Sequence, residues 1–320
     1  MTQETFSVRS HHGSKSTVEK AAEAIFTACG FFAVLAVASI TLYMIFSGTP
    51  ALFKVGILDI LFGTLWQPAA ATPSFGILYV ILTSIVGTFL AILIGVPVGV
   101  MTAVFLAEVA PKKLANVVRP AVELLAGIPS VIYGLWGGLV LVPAIYPFWN
   151  WVAKYLGWIP IFAGPAANPS RTVATVSVVL AVMILPTMTT LSVDGLRAVP
   201  DSYRQGSLAL GYTRWQTIWH VVLKSAMPSL MTAVILGMTR AFGETLAVRM
   251  VIGGIEAMPT SLLSPSSTIT TTLTTSMAVY AEGSAQDDVL WALGLLLMGM
   301  SLIFILIIHL IGRKGAKARG

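Results

Sequence analysis

Arg240 and Glu244 are the residues most able to do chemistry, because both are charged and both lie inside a long apolar run, Leu230–Gly253. Arg240 falls about ten residues past the start of that run, ~15 Å deep at a rise of about 1.5 Å per residue. That is close to the middle of a hydrocarbon layer about 30 Å thick. An arginine at that depth costs somewhere between about 2.5 and 17 kcal/mol, so it must face water or a partner. The spacing of four places Glu244 on the same helical face. Gly243 between them lets a backbone or a solute come close. A guanidinium presents five N–H donors in a planar fork that suits oxyanions. Thr239, Arg240, Gly243 and Glu244 are therefore the candidate substrate and gate residues. The expectation is an ion pair in the empty state, from which an arriving anion displaces Glu244. The alternative is a structural pair that only fixes helix packing. Arg249 is nine residues beyond Arg240, about 180° around a helix, and is expected near the external mouth.

The elements that must position these residues are membrane helices. Hydrophobic residues make up 56% of the chain, charged residues 10%, and mean hydropathy is +0.87, a balance that excludes a soluble globular protein. The fold class is all-α and polytopic, with about six spans: Ala24–Phe46, Phe75–Ala107, Leu124–Ala144, Thr172–Val193, Leu230–Gly253 and Val289–Ile311. Residues 1–23 read as a flexible tail, 24–74 as the first span and an external loop, 75–311 as the main core, and 312–320 as a basic tail. Most of the 19 basic residues lie before the first span, between spans two and three or four and five, or after span six. That asymmetry puts both termini in the cytoplasm. It also explains the net charge of +6 without nucleic acid as a partner. Cys29 is alone, so no internal disulfide forms. There is no GxxxxGK[ST] phosphate loop and no HExxH or CxxC metal signature. The four histidines are scattered, which disfavours an intramembrane enzyme. Trp149, Trp151, Tyr155 and Trp158 suit an external water boundary, and Thr260–Ser276 is a hydroxyl-rich re-entrant element or loop.

Residues 199–228 read as a cytoplasmic elbow of two amphipathic helices. Pro200 suits a helix start, Gly211 a left-handed helix end, and Thr213 with Gln216 a capping box. Trp215, Ile218, Trp219 and Val222 share one stripe of the second helix. Other charged residues read as local partners: Glu123 with Arg119, Glu108 with Lys112, and Asp194 with the elbow or Arg197.

The elbow resembles the EAA loop of ABC-importer permeases. Gln205, Gly206 and Ser207 occupy the triplet and Gly211 the glycine four positions on, while Val221 and Lys224 stand where that pattern has Ile and Pro. Glu123–Gly138, Arg240–Val248, Met250–Gly253 and Ser267–Thr270 are similar to the PstC-type permeases of the bacterial high-affinity phosphate importer. The resemblance covers about residues 75–311, and Arg249 departs from the small or neutral residue expected there. It implies a non-catalytic pore half in the bacterial inner membrane that pairs with a PstA-like sister permease, a PstB-like cytoplasmic ATPase dimer and an external PstS-like phosphate-binding protein. The cofactors it implies, ATP and Mg, belong to the partner ATPase, with none on this chain. It maps the transport-critical Arg and Glu onto Arg240 and Glu244. It maps the coupling helix onto the elbow, with Gln205, Gly206, Ser207, Leu208, Gly211, Tyr212 and Trp215 meeting the ATPase; the alternative is that these residues lie on membrane lipid. For Glu244 there is a further expectation. A protonated phosphate donates a hydrogen bond to a carboxylate, whereas sulfate cannot. Permeases for sulfate, molybdate or phosphonate are the runner-up reading.

Overall fold

The computed structural model describes residues 14–68, 70, 73–280 and 284–317. Most of the polar tail, with Arg9, His11 and His12, lies outside the described residues, as do Glu282 and Arg319. Helix α1 (Ser14–Val55) runs well past the expected end at Phe46 and is followed by α2 (Ile57–Phe62). Strand β1 (Trp66–Gln67) pairs antiparallel with β2 (Ser74–Phe75). Span two is α3 (Leu78–Val104), prolonged by a π-helical turn, Phe105–Val109. A separate amphipathic helix, α4 (Lys112–Ala126), then precedes span three. Span three begins only at α5 (Ser130–Trp136) and continues through a π-helical turn, Gly137–Leu141, into α6 (Val142–Leu156). Pro129 therefore starts this span instead of interrupting it, because its missing N–H is no loss just before a first turn.

Span four is α7 (Val173–Arg197), which keeps Pro186 inside. The elbow comprises α8 (Asp201–Ala209), α9 (Arg214–Thr217), a π-helical turn (Ile218–Val222) and α10 (Leu223–Ser225). Span five is not the continuous helix expected. It is split into α11 (Met227–Gly243) and α12 (Leu246–Val251), and the elbow meets α11 at a bend of 68°. Helices α13 (Ile269–Met277) and α14 (Ala285–Lys317) complete the described chain. Five of these helical stretches are long and apolar enough to cross a membrane, and six if the bent pair counts as one.

The packing centre is the α3–α7 pair. Gly87, Ala91, Gly95, Gly99 and Ala103 recur every four residues along α3 and are all buried. Lipid gives no hydrophobic drive between helices, so close van der Waals approach along a small-residue stripe must hold them. A Cβ at Gly95 would lie 2.8 Å from Ile184 Cδ1, and one at Gly99 2.9 Å from Met188 Cβ. The core around Ile184 and Met188 also takes in Ala233 and Ala241 of α11 and Val248 of α12. Helix α1 is the opposite case. It touches α14 through a Tyr43–Trp291 edge contact at 5.0 Å and Gly48 against the Trp291 carbonyl. Its apolar run, including Phe26, Phe31 and Phe32, is exposed on the isolated chain. Such a surface belongs against lipid or another membrane helix.

The elbow forms as its residues dictate. Thr213 and Gln216 make the reciprocal capping box. Gly211 has φ +87°, and its N–H bonds to the Leu208 carbonyl. A side chain in that left-handed conformation costs about 1–2 kcal/mol. Gly211→Ala is accordingly expected to speed amide hydrogen exchange across 201–217 by roughly tenfold. Exchange unchanged in that segment would show that the turn does not need glycine.

Candidate functional site

The structure separates the two charges that helical spacing had placed together. Helix α11 ends at Gly243, and Glu244 is already extended, with φ −71° and ψ 130°. Arg240 sits in the last turn of α11, where the carbonyl end of a helix favours a cation. Its Nη1 donates to Thr187 Oγ1 of α7 at 3.0 Å. The Glu244 carboxylate instead accepts from the Ala247 N–H at 3.2 Å, in the first turn of α12. Each charge thus meets the helix end of opposite sign, and no Arg240–Glu244 ion pair forms among the described residues. Both side chains are half-buried. The expected resting ion pair is corrected to two charges flanking a break in the span. Broken helices of this kind place backbone and charge inside a membrane only where they line a cavity or are buried in protein.

Thr239 is not brought to this place, because its hydroxyl donates to the Ile235 carbonyl one turn back and its side chain is exposed. Gly243 is exposed, and a Cβ there would meet nothing within 4 Å, so the break is open beside it. Sequence reasoning missed Thr187, which stands three residues before the hydroxyl-bonded Thr190 on α7. A hydroxyl on the helix facing a half-buried arginine carries no periodic signal of its own.

The hydroxyl-rich segment becomes a loop leading into α13, whose N-terminus is a capping box of Thr268 and Thr271. Thr270 Oγ1 donates to the Glu244 carbonyl at 2.9 Å, satisfying a group freed by the helix break. Thr83, Ser84, Thr88, Thr268 and Thr270 line a small cavity into which Glu244 also faces. Most of these hydroxyls have protein partners: Thr83 with Ser266, and Ser84 with the Ile269 N–H. Thr274 and Thr275 bond to carbonyls of their own helix. This pattern favours satisfied helix carbonyls over a solute site for the α13 hydroxyls. Arg249 lies away from Arg240 on α12, packed over Gly254. The Glu256 carboxyl is pushed up by partial burial, and the nearby Arg249 guanidinium opposes that shift.

On the elbow, Gln205, Gly206, Leu208, Gly211, Tyr212 and Trp215 are all exposed. Ser207 is not: it is buried, and its hydroxyl pairs with Thr217 at 3.0 Å across the elbow. The expected stripe also divides. Ile218 and Val222 turn into the core, while Trp215 and Trp219 stay exposed and meet edge to face at 5.6 Å. The widened π-helical turn at Ile218–Val222 changes the register that a regular helix would have kept. Of three ion pairs near the elbow, one matches expectation and two depart from it. Glu123 pairs with Arg119 at 2.8 Å as expected. Asp194 pairs with that same Arg119, at 2.7 Å, not with the elbow or Arg197. Glu108 pairs with Arg204 at 2.6 Å instead of Lys112, because the π-helical turn ending span two aims it at the elbow. Glu108 holds the Arg204 guanidinium above its ordinary pKa range.

Residues 95–316 match the family model for the binding-protein-dependent transport system inner membrane component. The chain is 40% identical over 292 residues to a probable ABC transporter permease protein, YqgH, of Bacillus subtilis, covering 91% of this chain and 89% of that one. It is 37% identical over 256 residues to the phosphate transport system permease protein PstC of Xylella fastidiosa, covering 77% and 76%. The fold is similar to a chain in the crystal structure of a bacterial alginate ABC transporter in complex with an alginate-bound periplasmic protein, with TM-score 0.60, 16% identity, and coverage of 94% and 96%. That match speaks to architecture alone. The broken span, the elbow and the small-residue helix pair are therefore those of a permease: this chain belongs to the binding-protein-dependent transport system inner membrane component family, among its PstC-type members.

Proposed function

We propose that this chain is one half of a pore that carries inorganic phosphate across the bacterial inner membrane when a separate ATPase closes beneath it. The observation that carries the reading is Arg240 beside the break in span five. Only one of its donors is engaged by the described protein, at Thr187. The rest of the fork is left for an oxyanion. The pore's other half is a PstA-like sister permease, and an external PstS-like receptor delivers the phosphate. ATP and Mg act on a PstB-like ATPase dimer, which docks on the exposed face of the elbow at Gln205, Gly206, Leu208, Gly211, Tyr212 and Trp215. ATPase closure moves the elbow as a lever and re-packs span five, exposing Arg240 alternately to each side. Both termini then lie in the cytoplasm.

The experiment is reconstitution. Liposomes holding the full complex are expected to accumulate labelled phosphate only with ATP inside and receptor outside. This chain alone in liposomes is expected to pass none. Phosphate leaking through the lone chain would make it a channel, and accumulation of sulfate or molybdate in place of phosphate would make it another oxyanion's permease.

Glu244 supplies the selectivity in this reading. Glu244→Gln is expected to let sulfate compete with phosphate at roughly tenfold lower concentration, since the carboxylate no longer repels a fully ionised oxyanion. Normal phosphate transport with unchanged rejection of sulfate would remove Glu244 from that role.

A further inference from the structure

Arg204 lies on the elbow, immediately before the triplet Gln205-Gly206-Ser207, and its whole guanidinium is committed. Nη2 donates to Glu108 Oε1 at 2.6 Å and Nε to Glu108 Oε2 at 3.2 Å, a two-point fork on the π-helical turn that ends span two. Nη2 also donates to the Leu196 carbonyl of α7 at 2.9 Å, and Nη1 to the Val199 carbonyl at 2.6 Å. Nη1 finally reaches Asp201 at 3.1 Å. One side chain therefore ties the elbow to the ends of spans two and four. Those are the helices locked together by the Gly95–Gly99 stripe, and α7 also carries Thr187 against Arg240.

Burial sets this pair apart from its neighbour. The Arg204 and Glu108 side chains are 20% and 10% exposed, while Arg119, Glu123 and Asp194 are 29%, 48% and 55% exposed. Exposed ion pairs contribute little, whereas removing one partner of a buried pair leaves a costly stranded charge. A bidentate fork also fixes relative orientation, which a single point contact does not. The π-helical turn that ends span two brings Glu108 round to the elbow.

We propose that Arg204 and Glu108 form the joint that transmits elbow movement into spans two and four, so that Arg204 is a positioning residue for transport and not a contact of the solute. This rests on the reading of the elbow as the ATPase lever. Without the fork the elbow swings but does not carry the spans with it, and ATP is hydrolysed without import.

The test uses the full reconstituted complex with Glu108→Gln, which keeps shape and one acceptor, and Arg204→Lys, which keeps charge but loses the fork. The ratio of phosphate imported to ATP hydrolysed is expected to fall about tenfold in Glu108→Gln and by less in Arg204→Lys, with hydrolysis within about twofold of wild type. Where Glu108→Gln fails to assemble, Arg204→Lys alone decides. An unchanged ratio in the variants that assemble overturns the joint. So does a parallel loss of import and hydrolysis that tracks the amount of complex recovered, since that is a purely structural role. A wild-type complex that hydrolyses ATP but imports neither phosphate nor sulfate nor molybdate overturns the lever reading itself, and the joint with it.

Discussion

Arg240→Ala in the assembled transporter is expected to lower phosphate uptake by about 100-fold while leaving the amount of complex in the membrane near normal. The estimate follows from the lost bonds. Hydrogen bonds to charged groups contribute about 1.5–3 kcal/mol, and 1.4 kcal/mol is about tenfold. Away from water the loss of a cation facing an anion lies at the upper end of that range. The fold should tolerate the change, because Arg240 is half-buried and makes one protein hydrogen bond, to Thr187. Thr187 can then bond a carbonyl one turn back, as Thr190 does with Pro186. Arg240→Lys keeps the charge and loses the planar fork, so its expected uptake falls between, about tenfold below wild type. Labelled-phosphate uptake in cells, normalised to the amount of protein in the membrane, reads both. Equal uptake by Arg240→Ala and wild type would leave the arginine a packing residue.

Gly99→Leu is expected to do comparable damage by another route. The Cβ alone would stand 2.9 Å from Met188 Cβ, and backbone of α7 lies behind it, with Thr189 N at 3.8 Å. Flexible side-chain ends are not what gives way here; α7 itself must move. Overpacking of this kind costs about 1–3 kcal/mol, and more where backbone must shift. Because Met188 adjoins Thr187, the displacement reaches the Arg240 contact as well as the stability of the bundle. A melting temperature roughly 5 °C or more below wild type in detergent is expected, with reduced uptake by the protein that survives. Gly87→Ala is the control: it lies on the same stripe, but a Cβ there meets nothing within 4 Å. Equal melting temperatures for Gly99→Leu and wild type would mean that the α3–α7 contact is looser than the structure has it.

Much of this was legible in the residues because the bilayer leaves few choices. Runs of apolar residues set spans two, four and six to within several positions, while spans one and three run well past their expected ends, to Val55 and Leu156; Thr213, Gln216 and Gly211 set the elbow, since caps and left-handed turns are local chemistry. The site was legible as a place and not as a geometry. Arg240 announces itself by its cost in an apolar run, but the four-residue spacing to Glu244 implies one helical face only if the helix is continuous. The sequence Gly243-Glu244-Thr245 permits either course, and the competition is decided by one distant partner and one local one: Thr270 satisfies the Glu244 carbonyl, and Ala247, three residues on, offers its N–H to the carboxylate. Glu108 and Arg204 are 96 residues apart, so their meeting depends on how span two returns to the elbow. Lys112 was nearer along the chain, and proximity in sequence was a poor guide. The π-helical turns at Phe105–Val109 and Ile218–Val222 shift register by one residue without any glycine or proline to mark them. That shift explains both Glu108 and the divided Trp215–Ile218–Trp219–Val222 stripe.

The claim on which the rest depends is that the Arg240 guanidinium borders a water-filled path and not lipid. Thr187 touches it at 3.0 Å, so a thiol placed there reports on the surroundings of the guanidinium without removing the arginine itself. Thr187→Cys should therefore be made in a chain whose exposed native thiol, Cys29, is changed to Ala. Membrane-impermeant thiol reagents of opposite charge are then applied to the reconstituted complex, with and without ATP. The account predicts modification that depends on the nucleotide state, and faster modification by the negatively charged reagent, drawn in by the neighbouring cation. A thiol that stays unmodified in every state, or that reacts equally fast with both reagents, would contradict it.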